Sequence, residues 1–508
     1  MEIEFKFCIP AERVAGVNAA MRRGRFEPIR MEARYFDTAD GALSSRGIAF
    51  RLRREGDQWV QTVKALGDGP LDRQEHNAAR GPATAGTVPE PLPRLHTGTV
   101  AGARLLEALH AASGPLTETY GTEMDRITRE ITRQGAVVEL ALDTGRVVAH
   151  RGTAQQREAR ICELELELKA GPVAGLAALA RQWATRHGLF LSTVSKAERG
   201  ERLLTVPGNH SHRKTRPLST IDQQLPTGAA LQRAVVAQCL QQILGPASDL
   251  AEGSRDDEHM HQLRIGIRRL RTALRELAPL APGGLDPAWE PPLVQVFQHL
   301  GHLRDRSQVL QRIGAELRAA GAPHLEMLGD GSTGSAPAEH IVRDAAFQCA
   351  LVGLMAFTTQ GLDGATGSEP AGLAAKDTRR WVQQRLHTLH AQVHKGMQCF
   401  AELSPDAQHR LRKRLKRLRY LTEFVEPALD GPSARFLDSL QPALSALGRL
   451  NDERVAAALY REIAEAGEPN AWFGVGWLAA HQELAITACA ETLLQIAKAP
   501  RLRKAGKR

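Results

Sequence analysis

The chain has 508 residues, 43% of them hydrophobic and 24% charged, with a formal charge of +9 and a pI near 9.4. That length allows two or more domains, each with its own core, and the composition is that of an ordinary soluble globular protein, not a disordered one. The basic balance points to an anionic partner without naming it. Six cysteines (Cys8, Cys162, Cys239, Cys349, Cys399, Cys489) lie far apart with no paired spacing, which excludes a zinc site or disulfide framework and fits a reducing compartment. The chain is charged from its second residue, so no signal peptide is expected. Its most apolar window, Ala471 to Ala480, is too short to cross a bilayer. The expectation is a cytoplasmic protein with no membrane partner.

The first strand is Glu2-Ile3-Glu4-Phe5-Lys6-Phe7, whose period of two puts Glu2, Glu4 and Lys6 on one face. Tyr35-Phe36-Asp37-Thr38 ends in the turn residues Asp40-Gly41. Ala49-Phe50-Arg51-Leu52-Arg53-Arg54 alternates again, and Glu55-Gly56-Asp57 reads as a hairpin turn into Trp59 to Lys64. Arg73 and Glu75 sit two apart in the next extended piece. Residues 81–100 read as loop and 101–112 as a short helix. Val137 to Asp143 is a further strand, with a turn at Thr144-Gly145. Then comes Glu163-Leu164-Glu165-Leu166-Glu167-Leu168-Lys169, and Pro172 to His187 as a helix.

Three acids in a row on one strand face repel each other unless a cation sits among them, and Glu has no liking for strands. Two such acidic strands suggest a shared face built to hold a metal ion. A run of strands with few helices suggests an antiparallel sheet closed into a barrel. With carboxylates for a divalent cation and Arg or Lys for anionic oxygens, its interior would suit a polyphosphate. Periodicity alone leaves open which face is inside; turned outward, the same charges are a salt-bridged surface.

Taken together, Glu2-x-Glu4-x-Lys6, Tyr35-Phe36-Asp37-Thr38, Arg51-Leu52-Arg53, Gln61-Thr62-Val63-Lys64, Glu139…Asp143-x-Gly145, Cys162 to Leu168 and Ser195 to Gly200 resemble, in order, the CYTH domains of the triphosphate tunnel enzymes. The resemblance covers residues 1–205. It implies that Arg51, Arg53, Lys64, Arg73, Arg126 and Lys196 meet phosphate oxygens, and that Lys6 steers a phosphate or a neighbouring carboxylate. It implies also that Glu2, Glu4, Asp143, Glu163, Glu165 and Glu167 hold Mg2+ or Mn2+ and orient water.

Residues 206–228, with a basic cluster at His210 to Lys214, read as a linker. From 229 the pattern is helical and repeats itself. His261 to Arg271 is echoed by His409 to Arg419, and Leu300-Gly301-His302-Leu303-Arg304-Asp305 by Leu447-Gly448-Arg449-Leu450-Asn451-Asp452, at offsets of 148 and 147 residues. On a helix, His261, Arg264, Arg268, Arg271 and Arg275 make one stripe, and Leu263, Ile267, Leu270 and Leu274 the core-facing one. His409, Arg412, Lys416 and Arg419 repeat it against Leu411, Leu415 and Leu418. Like charges at such spacing destabilise a helix, so a stripe of one sign made twice suits a polyanion lying across it; the competing reading is a salt-bridged bundle interior. Pro279 to Pro292 and Gly329 to Pro337 read as loops. His387, His390 and His394 share a helix face and, with no acid or Cys nearby, read as basic surface. Residues 499–508 are a basic tail.

These repeats resemble the CHAD domain over roughly 229–498, a helical module associated with polyphosphate. The expected fold is therefore α+β and multidomain: an antiparallel β-barrel or tunnel, then an all-α duplicated bundle. The two resemblances imply an inorganic triphosphatase acting on tripolyphosphate, with polyphosphate bound by residues His261, Arg264, Arg268, Arg271, His409, Arg412, Lys416 and Arg419, and association with polyphosphate granules. Competing readings are a thiamine triphosphatase or an adenylate cyclase in the same tunnel, or a non-catalytic polyphosphate-binding protein. Nucleic-acid binding is disfavoured by the 5% aromatic content and the lack of a recognised motif.

Overall fold

The structure is a computed structural model that describes residues 3–66, 73–83, 87–204, 225–325, 337–359, 372–429 and 433–496, with backbone alone at Leu66, Arg73, Pro427 and 302–310. In chain order the elements are β1 (Glu4–Cys8), α1 (Val14–Met21), β2 (Glu27–Asp37), β3 (Ile48–Glu55), β4 (Gln58–Leu66), β5 (Arg73–Pro82), α2 (Val100–His110), β6 (Thr117–Arg133), β7 (Ala136–Ala149), β8 (Arg157–Ala170), α3 (Val173–His187), β9 (Phe190–Leu191) and α4 (Lys196–Leu204). The helical part continues with α5 (Gly228–Ala251), α6 (Asp257–Leu277), α7 (Glu290–Ala319), α8 (Ala338–Val342), α9 (Ala345–Thr359), α10 (Ala375–Gln398), α11 (Pro405–Val425), α12 (Ser433–Glu465) and α13 (Ala471–Ile496). No helix among the described residues is long and apolar enough to cross a membrane.

Two compact units emerge, and they are not contiguous stretches of chain. The first comprises residues 1–216 together with 244–252 and 343–366; the second comprises 217–243, 253–342 and 367–508.

The first unit is built on one antiparallel sheet in the order β5-β4-β3-β2-β6-β7-β8-β1-β9. The expected closure into a barrel is not made: β5 and β9 are edges, so hydrogen bonding does not run full circle among the described residues. The hairpin at Gly56 stands as expected, with Gly56 at φ 57°, a left-handed conformation that glycine adopts without strain. The expected turn at Thr144-Gly145 is corrected, since β7 runs on to Ala149 and Gly145 pairs with Met124. Glycine is needed there for space: a Cβ would stand 2.1 Å from the Glu123 carbonyl oxygen. The 17-residue β6 carries no run of alternating apolar residues and was not expected.

One sheet face is apolar. Phe5, Phe7, Leu140, Leu142, Leu164 and Leu166 are buried there, and Leu176, Ala180 and Trp183 are the buried stripe of α3, which contacts β7 and β8. Phe36, Phe50, Leu52 and Val63 form the continuation of that face, with Leu105 and Ala108 of α2. Helix α2 starts where Thr99 accepts a hydrogen bond from the Gly102 amide, and α3 stops at Gly188, which has φ 62°.

The second unit is helical. α6 is N-capped by Asp256 and α11 by Ser404 with Pro405 at its first position, so both basic helices start at strong stop-start signals. α11 packs on α6, α10 and α12, and α12 also on α7 and α13. The expected stripe Leu263, Ile267, Leu270 and Leu274 is buried, as are Leu411, Leu415 and Leu418. The loop expected over Pro279 to Pro292 is partly helical, with single turns at Ala278–Leu280 and Pro287–Trp289 and α7 starting at Glu290. Proline fits the first turn of a helix, whose amides have no partner anyway. Most of the expected linker, the loop from Gly329 and the basic tail lie outside the described residues.

Candidate functional site

Residues directly opposite in an antiparallel pair point to the same side of the sheet. Register therefore answers the question that periodicity left open. Glu4 faces Glu167, Lys6 faces Glu165, Asp143 faces Glu163, and Arg126 faces Asp143. Across β2, Ile29 faces Arg126, Ala33 faces Arg53 and Tyr35 faces Arg51; Ala49 then faces Lys64, and Lys64 faces Glu75. All these charged residues share the face opposite the apolar one.

At its centre Arg126 grips Asp143 with two bonds of 2.6 and 2.7 Å and Glu165 with one of 2.7 Å. The Lys196 ammonium, from α4, lies 2.8 Å from Asp143 and 3.1 Å from Glu165, and is hydrogen-bonded to Glu163. Ser195 caps helix α4, its hydroxyl accepting from the Glu198 amide, so the cap itself fixes where Lys196 leaves the backbone. Burial opposes ionisation of Glu165, but Lys196, Arg126 and Lys6 outweigh it and hold its carboxyl well below the usual range. Burial likewise opposes the charge on Lys196, and Glu163, Glu165 and Asp143 push its pKa far up. The Lys6 ammonium donates to the Val194 carbonyl just before α4.

Further along the same face, on β2 and β3, Arg51 donates to the Tyr35 hydroxyl at 3.1 Å, and Tyr35 stacks on Tyr120 with centroids 4.8 Å apart. Arg53 is lowered to about 10 by burial and by Arg51 beside it. Lys64 pairs with Glu75 at 2.5 Å. The Nε atoms of Arg51 and Arg53 are buried without a hydrogen-bond partner. Arg126 acts electrostatically on both arginines, so this group and the acidic cluster sense each other.

Carboxylate oxygens of Asp143, Glu163 and Glu165 lie within 4.8 Å of one another, and Glu163 Oε2 is buried with no partner. Oxygens so spaced fit a hard divalent cation, which binds oxygen at about 2.0–2.6 Å. Of the expected ligands, Glu167 does not join this group: it bonds Lys169 at 2.7 Å, and Lys169 reaches Glu139 as well. Glu4 shares the face by register. Glu2 and the Arg73 side chain lie outside the described residues. Two groups carried no expected role: Glu75, although its alternation with Arg73 was visible, and Tyr35.

In the second unit the two basic helices converge. Arg264, Arg268 and Arg412 surround Lys416, and burial with their charge lowers its pKa to about 6 against the pull of Asp452. Arg264 and Arg268 lie over the Phe297 ring at 5.1 and 5.3 Å. Burial, then Lys413 and Arg412, lower His409 too. His261 lies on the same helix as Arg264. The ends of both stripes differ from expectation: Arg271 bonds Glu290 at 3.3 Å and Arg419 bonds Glu423 at 2.6 Å, so acids meet these two. Of the three histidines on α10, His390 and His394 stack at 6.4 Å, and among the described residues no metal-binding group includes them.

A family model described as the CYTH domain matches residues 1–200, and one described as the CHAD domain matches 234–461. The chain belongs to the proteins that join a CYTH domain to a CHAD domain. It is 28% identical over 170 residues to an inorganic triphosphatase of Haemophilus influenzae, a stretch covering 33% of this chain and 44% of that one, so the chain spans under half of that relative. Among solved structures it is similar to the CHAD domain of Ricinus communis (24% identity, 56% of this chain and 97% of that one, TM-score 0.43). A candidate adenylyl cyclase from Hippeastrum, described as having a dominant triphosphatase activity, matches at 19% identity over 41% of this chain and 98% of that one, with TM-score 0.30.

Proposed function

We propose that the first unit is a metal-dependent triphosphatase that cleaves a terminal phosphoanhydride bond, with tripolyphosphate as first substrate, giving pyrophosphate and phosphate. The observation that carries this is one sheet face on which Asp143, Glu163 and Glu165 converge beside Arg126 and Lys196, with Arg51, Arg53 and Lys64 further along it. Phosphoryl transfer asks little covalent chemistry of the protein; it asks for charge compensation and alignment. Arg51 and Arg53, each with a buried N–H unspent, and Lys64 bind and orient phosphate oxygens. Lys6 and Lys196 complete the cationic shell. Asp143, Glu163 and Glu165 hold Mg2+ or Mn2+, which when bound neutralises phosphate oxygens and favours ionisation of water. Phosphate release from tripolyphosphate by the purified chain with Mg2+, against the Glu165→Gln variant, tests the reading. No release by the wild type sinks it.

The second unit, in this proposal, binds inorganic polyphosphate through Arg264, Arg268, Arg412 and Lys416. Their support is mutual crowding: three guanidiniums and burial disfavour the charge on Lys416, and an anion among them relieves that cost. A chain that bound long polyphosphate but left tripolyphosphate intact would instead be a non-catalytic receptor.

A further inference from the structure

Helix α4 carries Lys196 into the acidic cluster and packs against β6, β7 and β8 through Ala197, Leu203 and Leu204. The strand before it, β9, has two residues and pairs only with β1. Its further polar anchors come from chain positions far outside the CYTH match, within the first unit. Arg199, one turn after Lys196, forms a two-pronged pair with Glu252 at 3.0 and 2.8 Å. Arg202 bonds Asp249 at 2.8 Å, besides Glu198 at 2.7 Å. Ser192 Oγ donates to Glu252 at 3.0 Å, Cys8 Sγ lies 3.5 Å from that carboxylate, and the Thr193 amide donates to Ser248 at 3.2 Å. The Leu191 amide donates to Gln348 of α9 at 2.8 Å, and Arg343 lies over the Phe190 ring at 4.4 Å. Residues 248, 249, 252, 343 and 348 all fall inside the CHAD match.

The position of Arg199 makes this more than scaffolding. Glu163 of the acidic cluster also attracts Arg199, and both Arg199 and Cys8 sense Glu163. Glu252 supplies the nearer countercharge. We infer that Glu252, seconded by Asp249, is a positioning residue for the acidic cluster: it neutralises Arg199 and fixes α4, so that Lys196 and not Arg199 answers Glu163. This rests on the metal-dependent reading above. Removing one partner of a partly buried pair leaves the other charge uncompensated. In Glu252→Gln that charge is Arg199, one turn from Lys196 and competing with a divalent ion for Glu163.

The test is Mn2+ binding to the full chain without substrate, by calorimetry, alongside tripolyphosphate kinetics and thermal melting. Glu252→Gln should weaken Mn2+ by about tenfold, the scale typical of groups that orient metal ligands, and lower kcat more than it changes KM. Asp249→Asn should act in the same direction, about threefold, and covers the case that Glu252→Gln does not fold. Adding Arg199→Gln to Glu252→Gln should recover most of the Mn2+ affinity, a non-additivity that marks direct coupling. If Glu252→Gln melts earlier yet binds Mn2+ within about twofold of wild type, the two sites are not coupled, the role is structural only and the inference falls. A wild type that binds Mn2+ but releases no phosphate overturns the triphosphatase reading alone, and the variants still judge the positioning. A wild type that binds no Mn2+ overturns both.

Discussion

The two units gather charge in opposite styles. On the sheet of the first, acids and bases are interleaved until they nearly cancel: Arg126 and Lys196 answer Asp143, Glu163 and Glu165, and Lys64 answers Glu75. Between α6 and α11 of the second, Arg264, Arg268, Arg412 and Lys416 crowd together against the single pull of Asp452, and Glu290 and Glu423 meet the ends of the stripes. A mixed face can hold a cation and an anion at once, which bond cleavage in a polyphosphate needs. A face of one sign can bind and release a polyanion, and its cost in self-repulsion is recovered only when the anion arrives.

The sharpest way to break this contrast is at Glu165. Glu165→Gln should cut the rate of tripolyphosphate hydrolysis by roughly 100- to 1,000-fold while leaving the affinity for long polyphosphate unchanged, as filter binding would read. Loss of both would mean that the two faces do not divide the work.

The next effect is on stability and belongs to the first unit alone. His96 is fully buried under the sheet. Its Nε2 faces the Gln61 amide nitrogen at 3.0 Å, and Gln61 is oriented by accepting from the Leu92 amide and Arg80. Its Nδ1 lies 2.8 Å from His76. A ring whose Nε2 must accept stays neutral: burial first, then His76, lower its pKa from 6.5 to about 4. The unfolded chain thus takes up a proton that the folded one refuses. Stability is present above pH 6.5 and falls as pH drops toward 4, by about 3 kcal/mol. Urea midpoints of the wild type across that window should slope, and those of His96→Gln should slope less.

Smaller effects sharpen the second unit. Arg268→Gln should weaken polyphosphate binding about tenfold, on the scale of one charge-assisted hydrogen bond, with a shallower salt dependence and no change in triphosphatase rate. Lys416, lowered to about 6, is largely neutral in the free protein at pH 7 and gains a proton when an anion binds. Affinity should therefore rise as pH falls from 8 to 6, by at most about tenfold per unit. Calorimetry in buffers of differing ionisation enthalpy should show uptake approaching one proton, which Lys416→Met abolishes.

Strand alternation made the acidic series at Glu163, Glu165 and Glu167 legible, and the repeat at 148 residues made the duplicated basic helices legible. What periodicity could not supply was register, which alone puts Arg53, Arg126 and Glu165 on one face. Some corrections had a readable signal. Glu423 lies four residues after Arg419, the spacing of a helical ion pair. Others had none: Glu290 meets Arg271 from the next helix, and Glu252 meets Arg199 across 53 residues of chain. Pairings of that kind arise from packing between elements, which no local pattern encodes.

Gly200 sits one helical turn beyond Lys196 and lies flat against Tyr120; a Cβ placed there would stand 2.1 Å from the ring. With no side chain between them, the helix and the aromatic ring settle at a single separation. Even alanine at 200 would have to lift the helix or tilt the phenol, and the shift would reach the ammonium at its head. One hydrogen atom in place of a methyl group thus sets the depth to which that charge enters the acidic cluster.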